Sequence, residues 1–137
     1  MKTINATKGE LVNLINGLFA VQDLKGKKFG LSVSKNIKVL QEKLKDLEAA
    51  GKPTKEFLEL ADRVNIIANE GAEDSQAKIL ALEEDNKELV ESRRKQLEDV
   101  TAMMEESTSV KLETILESVL PEDITAKQIN NIEKIIK

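Results

Sequence analysis

Any chemistry in this chain has to come from amines and carboxylates, because it contains no His, Cys, Trp or Tyr. The densest set of amines is Lys25, Lys27, Lys28, Lys35 and Lys38, with no acid between Asp23 and Glu42. Gly26 and Gly30 lie among them and would let backbone amides approach an anion. Such a set could take up nucleic-acid phosphate or the surface of an acidic protein. Against phosphate, the segment has no Arg, the usual reader of bases, and only Phe29 to stack on one. The plainer alternative is that these lysines solvate a loop or pair with acids elsewhere in the chain. A phosphate-binding loop needs Gly, four residues, then Gly-Lys-Ser/Thr. Here three residues separate Gly26 from Gly30 and Leu31 follows, so no nucleotide site is expected.

A second set is acidic. Glu83, Glu84, Asp85 and Glu88, with Glu73 and Asp74 upstream, raise the question of a divalent metal. Consecutive residues on a helix point in different directions, so Glu83, Glu84 and Asp85 do not converge. Glu84 and Glu88 share a face, but Lys87 lies beside them and the spacing lacks the pattern of a calcium loop. A solvated helix face is expected, with no metal and no cofactor. Carboxylate pairs or a Ser–Lys dyad remain chemically possible as catalytic groups, yet nothing places one in a pocket. No catalytic residue is assigned, and a non-enzymatic protein is expected.

The elements that must position these groups are helices. A chain of 137 residues fits one domain, 1–137. Its 34% charged and 2% aromatic content is the profile of long helices or coiled coils. Thr7-Lys8-Gly9-Glu10 matches a capping box, and Leu11, Leu14, Ile15, Leu18 and Phe19 follow at helical spacing, predicting a helix over 8–23. Gly17 weakens that helix unless it marks close packing. Past the Lys25–Gly30 connector, Val33, Ile37, Leu40, Leu44 and Leu47 form a heptad seam. Gly51 and Pro53 end it. A third helix, from Pro53 or Thr54 to Gly71, carries Phe57, Leu60, Ala61, Val64, Ile67 and Ala68. The short link between the second and third predicts an antiparallel hairpin, so 8–70 reads as N-terminal helices and hairpin.

One long helix is expected over 74–106. Leu82, Asn86, Val90, Arg93, Leu97, Val100 and Met104 recur on one face at close to an 11-residue period. Of these, Leu82, Val90, Arg93, Leu97, Val100 and Met104 are candidate contacts of a homo-oligomer. The middle, Glu91–Gln96, has no apolar residue and is expected to project into solvent or to pair with another chain. In the docking segment 110–137, Val110 and Leu112 alternate with polar residues as in a strand, while Ile115, Leu116, Val119 and Leu120 read as a helical turn or two. Whether 108–116 is strand or helix stays open. Met1–Ile4 is the other candidate strand, so a minor two-stranded β patch is possible. Thr125 and Gln128 form a second capping box, and Ile124 with Ile129 makes a hydrophobic staple. Ile132, Ile135 and Ile136 then give a short helix an apolar face that has to dock. The fold class is all-α: a helical hairpin, one long helix and a short C-terminal helix.

Charge divides along the chain. Residues 1–55 hold 11 Lys and 5 acids, residues 56–137 hold 10 basic and 20 acidic side chains, and the whole is −4. Front and back can therefore attract one another, within one molecule or between copies. Without Cys there is no disulfide and no thiolate metal site. The N-terminus does not read as a signal peptide. No apolar run approaches the roughly 20 residues that cross a bilayer, so a soluble, intracellular protein is expected, with no membrane partner.

Glu10-Leu11-Val12-Asn13, the Lys25–Phe29 run and Val33-Ser34-Lys35-Asn36 near one end, and Leu120-Pro121-Glu122-Asp123-Ile124-Thr125 with Gln128 near the other, resemble small uncharacterised proteins encoded by tailed bacteriophages. The resemblance covers both ends of the chain and not its middle. It implies a viral accessory or virion-associated protein, in the host cytoplasm or the particle, and brings no catalytic residues with it. The expected function is non-enzymatic protein–protein interaction, either binding a host factor or serving in particle assembly. The alternative is a nucleic-acid-associated protein that binds phosphate through Lys25–Lys38.

Overall fold

Both expected capping boxes open helices. Thr7 Oγ1 accepts the Glu10 N–H at 3.1 Å while Glu10 Oε1 accepts the Thr7 N–H at 3.2 Å. Thr125 and Gln128 exchange the same pair of bonds. In the computed structural model, which describes Met1–Lys137, the protein is mostly α-helical with a small two-stranded sheet. The elements are β1 (Lys2–Thr7), α1 (Lys8–Val21), α2 (Lys27–Lys43), α3 (Lys45–Gly51), α4 (Lys55–Glu70), α5 (Ser75–Asp85), α6 (Lys87–Met104), β2 (Ser107–Leu112) and α7 (Ala126–Asn131), with 3-10 turns at Glu117–Val119 and Glu133–Ile135.

The chain divides into two compact units: Met1–Glu48 with Ala102–Lys137, and Ala49–Thr101. The reason lies in the apolar residues. The heptad seam Val33, Ile37, Leu40, Leu44 and Leu47 is buried throughout, and with Leu47 it stops. Every buried apolar side chain except Leu60 belongs to the first unit.

In that first unit β1 and β2 pair antiparallel, with Ile4 opposite Val110 and Lys2 opposite Leu112. The expected β patch is therefore present, and 108–112 is strand. Ile4, Ala6, Val110 and Leu112 fill one face of it, as strand alternation requires. Leu11, Leu14, Ile15, Leu18 and Val21 bury one side of α1, while Phe19 sits at the rim, 38% exposed. Phe29, Val33, Ile37 and Leu40 do the same for α2. The C-terminal isoleucines dock as their pattern demanded: Ile132 and Ile135 are fully buried. Backbone bonds from Ile115 N–H to Ile135 O (2.7 Å) and from Lys137 N–H to Ile115 O (2.8 Å) clip the chain end to the strand exit. Gly17 is where α1 meets α7: a Cβ there would lie 3.0 Å from Asn131 O and 3.2 Å from Ile132 Cγ2.

In the second unit α4 packs on α5 through Gly71, whose left-handed backbone (φ 65) ends α4. Ser75 Oγ donates to Ile67 O across the turn. The hairpin of this unit thus turns at Gly71, not at the Gly51–Pro53 stop. The single helix expected over 74–106 is broken at Asn86. Its Nδ2 donates to Leu82 O at 2.9 Å and its own N–H is shared among the Leu82, Glu83 and Glu84 carbonyls. Asn competes with the backbone for helix bonds in this way, and periodicity of apolar residues does not register it. The helix expected to run on from the Lys connector is likewise interrupted, at Leu44.

The two interior glycines of α1 and α2 should respond to alanine in opposite directions. At Gly30 nothing lies within 4 Å of where a Cβ would stand, so Gly30→Ala raises stability by about 0.5–1 kcal/mol through helix propensity. At Gly17 the same change overpacks the α1–α7 contact and costs about 1–3 kcal/mol. Urea denaturation of both variants checks the sign at each site.

Candidate functional site

Four of the five lysines lie on α2, and Lys25 stands just before it. Lys25, Lys27, Lys28 and Lys38 are exposed, whereas Lys35 Nζ lies 3.5 Å from Glu113 Oε2. The glycines do not form an anion loop. Gly26 is the cap of α2 and its carbonyl accepts the Gly30 N–H at 2.8 Å, so the amide at Gly30 is committed to the helix. Lys27 and Lys28 occupy the first turn of α2, the positive end of the helix dipole, where cations are disfavoured.

What α2 does hold is the strand exit. Asn36 is 1% exposed. Its Nδ2 donates to Glu113 O and its Oδ1 accepts the Glu113 N–H, both at 2.8 Å. Ser32 Oγ donates to the Glu113 carboxylate at 3.2 Å. Ser32, Lys35 and Asn36 thus grip Glu113 by backbone and side chain together. Sequence reading passed over this cluster. The available signal was a polar residue inside an apolar stripe, since Asn36 lies three residues after Val33 and four before Leu40. Beside the clasp, α2 and β2 border a groove of about 830 Å³ that reaches from Lys38, Val39 and Lys43 to Ser109 and Lys111.

A second ion-paired cluster ties α1 to the C-terminal segment. Lys134 Nζ donates to Glu10 Oε2 at 2.5 Å, and Lys2 Nζ donates to Lys134 O. The hydrogen bond from Lys134, helped by that from the Thr7 backbone, holds the Glu10 carboxyl below its ordinary value.

Of the acidic set, Glu73, Asp74, Glu84, Asp85 and Glu88 are exposed and Glu83 is half-buried. The break at Asn86 leaves Glu84, Asp85 and Glu88 around a shallow hollow together with Lys87, and no three acids converge on one point.

Of the candidate oligomer contacts, Leu82 lies on α5, and Val90, Arg93, Leu97, Val100 and Met104 lie on α6. Within the second unit, Arg93 and Gln96 turn inward instead of projecting. Arg93 Nη1 donates to Gly51 O at 2.9 Å, and Gln96 Nε2 donates to the carbonyls of Ala50 and Lys52, each at 2.8 Å. Arg93 also stacks over the Phe57 ring, 5.5 Å from its centre. Two side chains thereby cap the open carbonyl end of α3, the end that attracts cations and donors. Val100 also approaches Gly51, and Met104 packs at Gly9. Val90 and Leu82 are half-buried, and Leu97 is exposed.

All of these groups sit on a mostly helical scaffold. No protein-family model matches this chain, and neither a curated protein nor a solved structure matches it. No helix is long and apolar enough to cross a membrane.

Two measurements probe the contacts just described. Asn36→Leu keeps the volume but leaves the Glu113 N–H and C=O without partners, and should cost about 1–3 kcal/mol in urea denaturation. For Glu10 the folded protein binds a proton more weakly than the unfolded chain does. Its contribution is therefore present above the ordinary glutamate range and is lost as pH falls through the depressed value. Urea midpoints followed from neutral pH into acid should fall less steeply for Glu10→Gln than for the wild type.

Proposed function

We propose that this is a non-enzymatic protein that works by binding another protein. The carrying observation is the second unit, Ala49–Thr101, in which only Leu60 is buried while Leu58, Ile66, Leu80 and Leu97 are exposed. Exposed apolar side chains are ordinary singly, but grouped on a helical unit with so little core they favour a contact surface. Leu58 and Ile66 are eight residues apart on α4, about 12 Å along the same side of the helix. A helix pair of this kind suits another helix or a second copy of the chain laid against it. The resemblance of the two ends to phage proteins supports a phage-encoded role, as a factor that engages a host protein or as an assembly component.

The test is capture from bacterial host extract together with light scattering of the purified chain. Wild type should retain a specific protein or exceed its 15.2 kDa monomer mass. The double variant Ile66→Lys with Leu80→Lys should lose that contact at unchanged helicity by circular dichroism. A monomer at high concentration that retains nothing overturns the reading. A DNA arm decides the other reading. DNA retained at low salt, released steeply as salt rises and lost in Lys27→Glu with Lys28→Glu, would instead assign the protein to nucleic acid.

A further inference from the structure

The sheet has two strands, so each carries one free edge. Which backbone groups of β2 lie on its free edge follows from two independent bonds. Lys8 N–H donates to Glu106 O at 2.9 Å, one step beyond the last registered pair, Thr7 with Ser107. In an antiparallel ladder, residue pairs that exchange hydrogen bonds alternate with pairs that do not. The bonded pairs are therefore Lys8–Glu106, Ala6–Thr108, Ile4–Val110 and Lys2–Leu112. The N–H and C=O of Ser109, Lys111 and Glu113 point the other way, off the sheet.

The Asn36 clasp gives the same answer from the opposite side. Asn36 takes both the N–H and the C=O of Glu113. One donor and one acceptor exchanged with a single residue is the pattern of a bonded pair in an antiparallel sheet. The Asn36 carboxamide thus stands where a residue of a third strand would stand. It completes one rung of that edge and leaves the next two, at Lys111 and Ser109, with no backbone or side-chain partner elsewhere in the chain.

Those two rungs open into the groove between α2 and β2. Its volume, about 830 Å³, lies in the range of ordinary ligand sites. Lys38, Val39 and Lys43 line it from the helix, and Ser109, Val110 and Lys111 from the strand. Val39 is 37% exposed and offers an apolar contact. Lys8 completes the basic lining but is paired with Glu106 at 2.8 Å, and Glu42 and Asp46 lie at the same groove. Lysines outnumber carboxylates there by four to two.

We propose that the free edge of β2 at Ser109 and Lys111 takes up an extended acidic segment of a partner protein, which adds to the sheet as a third strand. Backbone pairing at Lys111 and Ser109 gives the binding its geometry. Carboxylates of the segment lie against Lys38, Lys43 and Lys111, and an apolar side chain between them covers Val39. This is strand addition to an exposed edge, with its start marked by Asn36. The proposal rests on the protein-binding reading above and adds a contact on the first unit, separate from the exposed leucines of the second.

The probe is a synthetic peptide of alternating Glu and Val, compared with one of alternating Lys and Val and with the acidic peptide N-methylated at every second residue. Amide hydrogen exchange is read residue by residue. In the free protein Ser109 and Lys111 should exchange at least tenfold faster than Val110 and Leu112. The acidic peptide should slow Ser109 and Lys111 selectively. The N-methylated peptide has the same charge and lacks the strand-pairing donors, so it should not. Lys38→Glu with Lys43→Glu, both on exposed positions, should weaken the acidic peptide at least tenfold. Equal binding by the basic peptide, or no slowing at Ser109 and Lys111, overturns the proposal. Slowing that depends on protein concentration alone overturns it too, by making a second copy the occupant. Because the peptide test needs no natural partner, its failure leaves capture through Ile66 and Leu80 standing, and failure of that capture leaves this edge to be judged by the peptide alone.

Discussion

The first unit depends on one side chain reaching across 77 residues of sequence. Asn36 is buried to 1% exposure in the middle of the apolar face of α2, and both ends of its carboxamide are spent on the Glu113 backbone. A buried amide without partners costs more than any single apolar contact returns, so α2 and the end of β2 can pack only in the register that satisfies it. Apolar residues such as Val33, Ile37 and Leu40 would tolerate a slide along the strand. Asn36 does not. With Glu113 fixed, Leu112 and Ile115 fall on the core side and the C-terminal residues reach Ile115 to close the unit.

The fold also redraws the charge split. Along the sequence the front is basic and the back acidic. By unit, Met1–Glu48 with Ala102–Lys137 carries 13 basic and 12 acidic side chains, and Ala49–Thr101 carries 8 and 13. The C-terminal stretch folds against the lysine-rich front and nearly neutralises it, with Lys8–Glu106 and Lys35–Glu113 as the visible ion pairs. Such exposed pairs contribute little energy each. Their effect is on the field: the basic front does not persist as a block, and the surplus of acid belongs to the second unit. A general attraction for nucleic acid is weaker on this arrangement than the linear sequence implied.

Features encoded within a few residues were legible in advance. The capping boxes at Thr7 and Thr125, the stop at Gly71, the seam from Val33 to Leu47 and the docked isoleucines all follow from short-range pattern. Even the β patch was visible, because alternation at Val110 and Leu112 is a period-two signal. The breaks at Leu44 and Asn86 were not legible, since neither Gly nor Pro marks them and Asn86 acts through its own side-chain bond to Leu82 O. The roles of Arg93 and Gln96 were missed for a related reason. A polar run on a helix reads as solvent-facing, and only the fold brings the carbonyls of Ala50, Gly51 and Lys52 within reach. The groove along β2 was hidden in the same way, because strand-edge groups carry no sequence signature beyond the strand itself.

That contrast explains why the two units are held by different physics. The first has a continuous apolar core and uses polar groups to fix its register. The second buries Leu60 alone, and Arg93 and Gln96 stabilise it by capping α3 and stacking on Phe57. Caps and single stacking contacts are each worth about 1 kcal/mol, far less than a core supplies. A unit built that way gains disproportionately from anything that covers Ile66 and Leu80, since a partner that binds only the ordered form stabilises it by mass action. The scarcity of core in Ala49–Thr101 and the exposure of Leu58, Ile66, Leu80 and Leu97 are therefore one property: the apolar surface that its own helices do not bury stays in contact with water.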